Sequence, residues 1–231
     1  MKKADFIIKS SAQLITCASN GRVKKGIEMQ DVGIIEDGAI AVIGKDIVAV
    51  GKTAKVLSEF ESDEVIDAHG KVVCPAFVDP HTHIVFGGDR LNEFELRIKG
   101  ASYLEIMETG GGIVSTVSNT RKASVENLVS GASKRLDVML ELGSTTVEIK
   151  TGYGLDTETE IKMLDAIAEL DKTHAIDIIP TFLAAHAIPA EWKNKEDEFT
   201  DLICDEMIPK AWDWYLNSHF PSKETPFLTT T

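Results

Sequence analysis

The sequence predicts an α/β protein, with a small β unit first and strand–helix alternation after it. Residues 1–71 carry short apolar runs with little helical periodicity. From Val72 onward, apolar runs alternate with segments of helical spacing. The first of those later runs, VVCPAFVDPHTHIVFGGDR (Val72–Arg90), ends in two histidines one residue apart, followed by a Gly-Gly-Asp-Arg turn. The rest of the chain is read around that stretch.

In the first unit, DFIIKSSAQLITC and EVIDAHG read as strands. GAIAVIGKDIVAVG reads as two short strands around Gly44-Lys45-Asp46, a hairpin signal. The expectation is a small antiparallel β unit with no chemistry of its own. In the second unit, Ser124 is an N-cap for a helix whose inward positions are Val125, Leu128, Val129, Ala132, Leu136, Met139 and Leu140, ended by Gly143. Residues 144–150 form the next strand. Thr157 with Glu160 fits a capping box, and Ile161, Leu164 and Ala168 make the helical face that follows. Residues 176–184 read as a third strand, and 198–210 as a helix with Phe199, Leu202, Ile203 and Met207 inward. Strands separated by helices imply parallel βαβ units; a barrel and an open sheet both satisfy the pattern.

Two stretches stand apart. Residues 109–119, TGGGIVSTVSN, are glycine-rich but lack the GK[ST] ending of a phosphate-binding loop, which excludes that kind of nucleotide site. They are expected to be a loop, either a plain surface loop or one on the catalytic face. Residues 211–231 show no strand–helix alternation, concentrate two of the three tryptophans and end in threonines. This atypical tail is expected to be foreign to the fold.

Composition narrows the function classes. The net charge is 24 − 37 = −13, which argues against nucleic acid or an anionic membrane as partner. An anionic substrate would need a local cation. Three widely spaced cysteines form neither a disulfide framework nor a CxxC metal pattern, so a cytoplasmic protein is expected. The N-terminus is too charged for a signal peptide, and no apolar run approaches the ~18 residues of a membrane span.

The chemistry begins at His81 and His83. On a strand, side chains alternate, so the two imidazoles share a face and can share a metal ion. With six histidines in 231 residues, an HxH pair arises by chance roughly one time in six, so the spacing acquires weight from its context. Arg90 follows the pair and presents a guanidinium fork suited to a carboxylate. Tyr153 sits between two glycines just after the second strand, where a core tyrosine is out of place. His186 stands at the end of the third strand. Glu148 and Lys150 alternate on the second strand and read as structural.

Four segments carry a resemblance: HTHIVFGGDR (81–90), RIKGASYLEIMETGGGI (97–113), TVEIKTGYGLD (146–156) and TFLAAHAIP (181–189). In this order they resemble the imidazolonepropionase family of the amidohydrolase superfamily, over about residues 1–210. The resemblance implies part of a β-sandwich at 1–71, the first part of a (β/α)8 amidohydrolase barrel at 72–210, and the atypical tail at 211–231. It implies a mononuclear metal, Zn²⁺ (or Fe), held by His81 and His83, with Arg90, Tyr103, Tyr153 and His186 binding substrate. The activity implied is attack of a metal-activated water on the cyclic amide of 4-imidazolone-5-propanoate, giving N-formimidoyl-L-glutamate, a step of histidine degradation. The general base and the remaining ligands are expected beyond residue 210. A whole barrel needs about 250 residues, so the chain is expected to be incomplete, poorly folded and inactive. A homodimer is compatible with the resemblance. The alternatives are a related amidohydrolase or deaminase with another substrate, and a non-catalytic fragment.

Overall fold

The computed structural model describes residues 1–19, 21–102, 105–106, 110–220 and, for the backbone alone, 228–229. They fall into two compact units, Met1–Pro75 and Ala76–Thr231.

The first unit holds β1 (Lys2–Lys3), β2 (Phe6–Ile15), β3 (Ile34–Ile43), β4 (Asp46–Lys52), α1 (Thr53–Glu59), β5 (Phe60–Glu61), β6 (Glu64–Asp67) and β7 (Val72–Val73). Strands β4, β3 and β2 are antiparallel neighbours. Strands β6 and β7 run parallel to β2, so the unit is mixed where an antiparallel one was expected. The unexpected α1 lies between β4 and β6 and lets the chain return in the same sense. Ile7, Ala39, Ala41, Val56 and Phe60 form the core. The run from Val72 is two strands, because Val72–Val73 still pairs with Gln13–Leu14 of β2. The break falls at Cys74-Pro75, where a residue without a backbone N–H cannot continue the ladder.

The second unit contains β8 (Phe77–Thr82), α2 (Leu91–Ile98), α3 (Ile113–Lys122), α4 (Val125–Glu141), β9 (Ser144–Lys150), α5 (Thr157–Thr173), β10 (Asp177–Phe182), α6 (Glu196–Leu202), a π turn (Ile203–Met207), α7 (Ile208–Asn217) and β11 (Leu228–Thr229). The strands form one parallel sheet in the order β11-β10-β9-β8. Each crossover therefore adds its strand on the same side, the winding of a (β/α) barrel. An open doubly wound sheet would reverse its order.

Helix α4 begins where Ser124 accepts the Asn127 N–H, as expected of a cap. Leu128, Ala132 and Leu136, at helical spacing, are fully buried against Val147, Ile149, Leu164 and Ile167. Four expectations change. Residues 113–122 are helical rather than a loop: Thr116, Val117 and Thr120 form a buried face that a run of Ser, Thr and Val conceals, since those residues are weak helix formers. Asp156, not Thr157, caps α5, accepting the Thr159 N–H at 2.7 Å. The helix expected at 198–210 divides at a π turn just before Pro209, which cannot donate a backbone N–H. Residues 211–220 are part of the fold: Ala211 and Phe220 are fully buried in the core, Trp214 Nε1 donates to Asp165 at 2.7 Å, and His219 Nε2 meets Asp171 Oδ2 at 2.7 Å. Residues 221–227 and 230–231 lie outside the described residues.

Candidate active site

The second unit brings four of the expected residues together at the C-terminal ends of its strands. Strand β8 ends at Thr82, which places His81 and His83 at the strand end with ring centroids 5.7 Å apart. The loop after β9 delivers Tyr153, whose ring lies 5.2 Å from that of His83. The loop after β10 delivers His186, 4.5 Å from His83 and 5.6 Å from Tyr153. Catalytic groups on the loops that follow the strands are what a parallel (β/α) arrangement favours.

The floor of this cluster is polar and closed. Thr82 is buried on β8; its hydroxyl donates to the Glu148 carbonyl at 2.6 Å, and its N–H donates to Glu148 Oε2 at 3.3 Å. Glu148 is paired with Lys150, both nearly buried. A buried pair of this kind survives only if its remaining hydrogen-bond capacity is used.

Burial, then the charges of His186, His81 and Lys150, push the His83 imidazole down to about 4, against a smaller upward pull from its hydrogen bond with the Thr151 backbone. His186 is also lowered, by burial and by His81. A neutral imidazole is the form that ligates metal. His83 Nδ1 is buried with no hydrogen-bond partner among the described residues, a cost that a cation would relieve. Neutral and with its Nδ1 unpartnered, His83 has the chemistry of a metal ligand, with His81 beside it. Among the described residues, no group of three or more His, Cys, Asp or Glu side chains is placed to hold a metal.

Arg90 makes no hydrogen bond, ion pair or cation–π contact with these rings among the described residues. Its Nε donates to Thr116 Oγ1 on α3 at 3.1 Å, the guanidinium being otherwise exposed. It lines a cavity with Glu93, Gly110 and Gly111, and no contact joins it to the histidine cluster among the described residues. Tyr103 lies outside the described residues. The other histidines serve locally: His174 meets Asp137, His219 meets Asp171, and His69 belongs to the first unit.

Four supporting residues escaped the sequence reading. Arg135 on α4 donates to the Ile84 carbonyl at 2.9 Å and lies over Phe86 at 3.7 Å, bracing the segment that leaves His83. Arg121 on α3 donates to the carbonyls of Gly154 at 2.7 Å and Leu155 at 3.2 Å, and pairs with Asp156 and Glu191. Glu160 holds the same loop from its N–H side, and Thr151 accepts the Leu183 N–H of the loop after β10. The available signal was the loop itself: a turn with two glycines exposes backbone groups that need partners somewhere in the sequence.

An imidazolonepropionase from Chloroflexus aggregans is 47% identical over 99% of this chain and 53% of its own length. One from Alkaliphilus oremlandii is 51% identical over 89% of this chain and 49% of its own. The chain thus spans about half the length of the curated relatives it matches. Among solved structures, a zinc-bound adenosine deaminase from Xanthomonas campestris superposes with a TM-score of 0.56 at 14% identity, covering 100% of this chain and 50% of that one. At that identity the likeness concerns the fold alone. The model of the amidohydrolase family matches residues 64–195, more than half of the chain, and the chain belongs to that family.

Proposed function

We propose that these residues serve the hydrolysis of the cyclic amide of 4-imidazolone-5-propanoate to N-formimidoyl-L-glutamate. The observation that carries the proposal is the convergence of Tyr153 and His186 on His83, with all three ring separations between 4.5 and 5.6 Å. The identity to imidazolonepropionases supports the same substrate.

In this reading His81 and His83 hold a divalent cation, Zn²⁺ or Fe²⁺. The ion supplies Lewis acidity toward the amide carbonyl and an activated water. His186, neutral, offers one N–H and one lone pair to the substrate ring. Tyr153 offers its hydroxyl from the opposite loop, and Tyr103 belongs to the same binding set. Arg90 takes the propionate carboxylate, and the chain's net charge of −13 makes such a cation necessary for an anionic ligand. Thr82, Glu148 and Lys150 hold β8 against β9, so the imidazoles do not swing.

The test is to add zinc to the purified chain and follow the loss of imidazolone-propionate by ultraviolet absorbance. Calorimetry with the stable analogue imidazole-4-propanoate runs alongside. Analogue binding that weakens at least tenfold in Arg90→Ala supports the proposal. Undiminished binding in that variant, or a preference for aminopurines over cyclic amides in a substrate panel, overturns it.

A further inference from the structure

Glu160 stands on the first turn of α5 and is fully buried. The helix does not need it as a cap, because Asp156 already accepts the Thr159 N–H. The Glu160 carboxylate turns instead to the loop after β9. Its Oε1 accepts the N–H groups of Gly152 at 3.2 Å, Gly154 at 2.7 Å and Leu155 at 2.9 Å, and its Oε2 accepts Gly152 at 3.0 Å. Burial pushes its titration up, and the Thr151 side chain beside it and the loop N–H groups pull it back down. Thr151 Oγ1 in turn accepts the Leu183 N–H at 2.9 Å, and the Leu183 carbonyl accepts the N–H of His186 at 3.2 Å. One carboxylate thus reaches both loops of the candidate site: directly the one bearing Tyr153, and through Thr151 and Leu183 the one bearing His186.

The loop has little room to be elsewhere. A Cβ on Gly154 would lie 2.8 Å from the Glu160 backbone nitrogen and 2.9 Å from its Oε1, and one on Gly152 would lie 2.7 Å from His186 Cβ. Leu155 sits at φ +53, a conformation that costs a side-chain-bearing residue and persists where its surroundings enforce it. Arg121 holds the loop's carbonyls from the other side. A carboxylate is expensive to bury unless hydrogen bonds compensate it. Here the compensation comes from the loop that carries Tyr153, so the burial of the acid and the placement of the loop enforce each other.

We propose that Glu160 is a positioning residue, whose carboxylate gathers the backbone N–H groups of residues 152–155 and the Thr151 hydroxyl so that Tyr153 and His186 meet over His83. The consequence for ligand binding rests on the substrate reading above; the consequence for ring placement does not. A carboxylate is required because every group around it donates. A glutamine would turn an NH2 toward the Gly152 N–H and oppose donor to donor.

The experiment compares the intact chain with Glu160→Gln, Tyr153→Phe and the double variant. Imidazole-4-propanoate is titrated by calorimetry in the presence of zinc. Histidine-ring NMR reports the nuclear Overhauser contact between His83 and His186, and amide hydrogen exchange is read at residues 152–155. In Glu160→Gln we expect the His83–His186 contact to be lost, amide protection at 152, 154 and 155 to fall at least tenfold, and analogue affinity to fall about tenfold. Because Glu160 acts through Tyr153, the double variant should lose less affinity than the product of the single losses. A general structural role would give multiplicative losses, and that result overturns the proposal. So does an unchanged ring contact with unchanged amide protection. If Glu160→Gln does not fold, Thr151→Val decides: it cuts only the arm to Leu183 and should abolish the His83–His186 contact while the amides of 154 and 155 stay protected; a retained contact overturns the proposal. A wild-type chain that ignores the analogue defeats the substrate reading alone, and the ring contact and exchange data still judge Glu160.

Discussion

Replacing Gly152 by alanine tests how closely the two site loops are packed. Gly152 has φ +103, and an added Cβ would meet His186 Cβ at 2.7 Å and the Leu183 carbonyl oxygen at 2.8 Å. The left-handed backbone alone costs a side chain about 1 kcal/mol or more. The overlap adds about 2 kcal/mol, because the atoms in the way are backbone and a Cβ that cannot swing aside. The Gly152 N–H to Glu160 is retained in the variant, so no hydrogen bond is deleted. Gly100 provides the control: it has φ +92, and an added Cβ would meet nothing within 4 Å among the described residues. Gly100→Ala should therefore cost the backbone term only, about 1 kcal/mol. All three tryptophans, Trp192, Trp212 and Trp214, lie in the second unit, so their fluorescence reports the unfolding of that unit. Urea titration should give about 3 kcal/mol for Gly152→Ala, or roughly 10 °C in a thermal scan. Equal costs for the two variants would refute the close approach of the loops.

The remaining predictions concern titration and packing. In the metal-free protein the His83 ring should titrate near 4, read by NMR, since burial and its cationic neighbours favour the neutral form. Its folded-state value is depressed below the ordinary ~6.5, so the unfolded chain takes the proton first. Stability is then full above about 6.5 and falls as pH drops toward 4; a His83 that titrates at the ordinary value contradicts the packing of the cluster. Leu136→Ala removes a side chain with no exposed surface from the α4 core and should cost about 3–5 kcal/mol by urea unfolding. Leu140→Ala, at 36% exposed, should cost less than half as much; equal losses would place the core elsewhere.

What could be read from the sequence followed repeating physical periods. Ser124 and the 3.6-residue spacing after it delimit α4, and the strand at 144–150 matches β9 residue for residue. The HxH pair sits at a strand end because its alternation fixes both faces at once. What escaped the reading depends on contacts distant in sequence. Thr157 and Glu160 have the spacing of a capping box, yet Glu160 answers donors in a loop that precedes its helix, and only the folded loop reveals them. Residues 113–122 hide a helix because their buried face is built of Thr and Val. The tail to Phe220 looked unlike a barrel segment because its helix is tryptophan-rich, but Trp214 and His219 find carboxylates on α5, Asp165 and Asp171. Arg90 was legible as a residue type, but its bond to Thr116 was not.

The most direct test of the account is metal analysis of the zinc-loaded chain after dialysis, with zinc K-edge X-ray absorption, for the wild type and for His81→Ala/His83→Ala. The account predicts stoichiometric zinc with imidazole scattering in the wild type, and loss of both in the double variant. Equal zinc content and an unchanged spectrum in the double variant would contradict it.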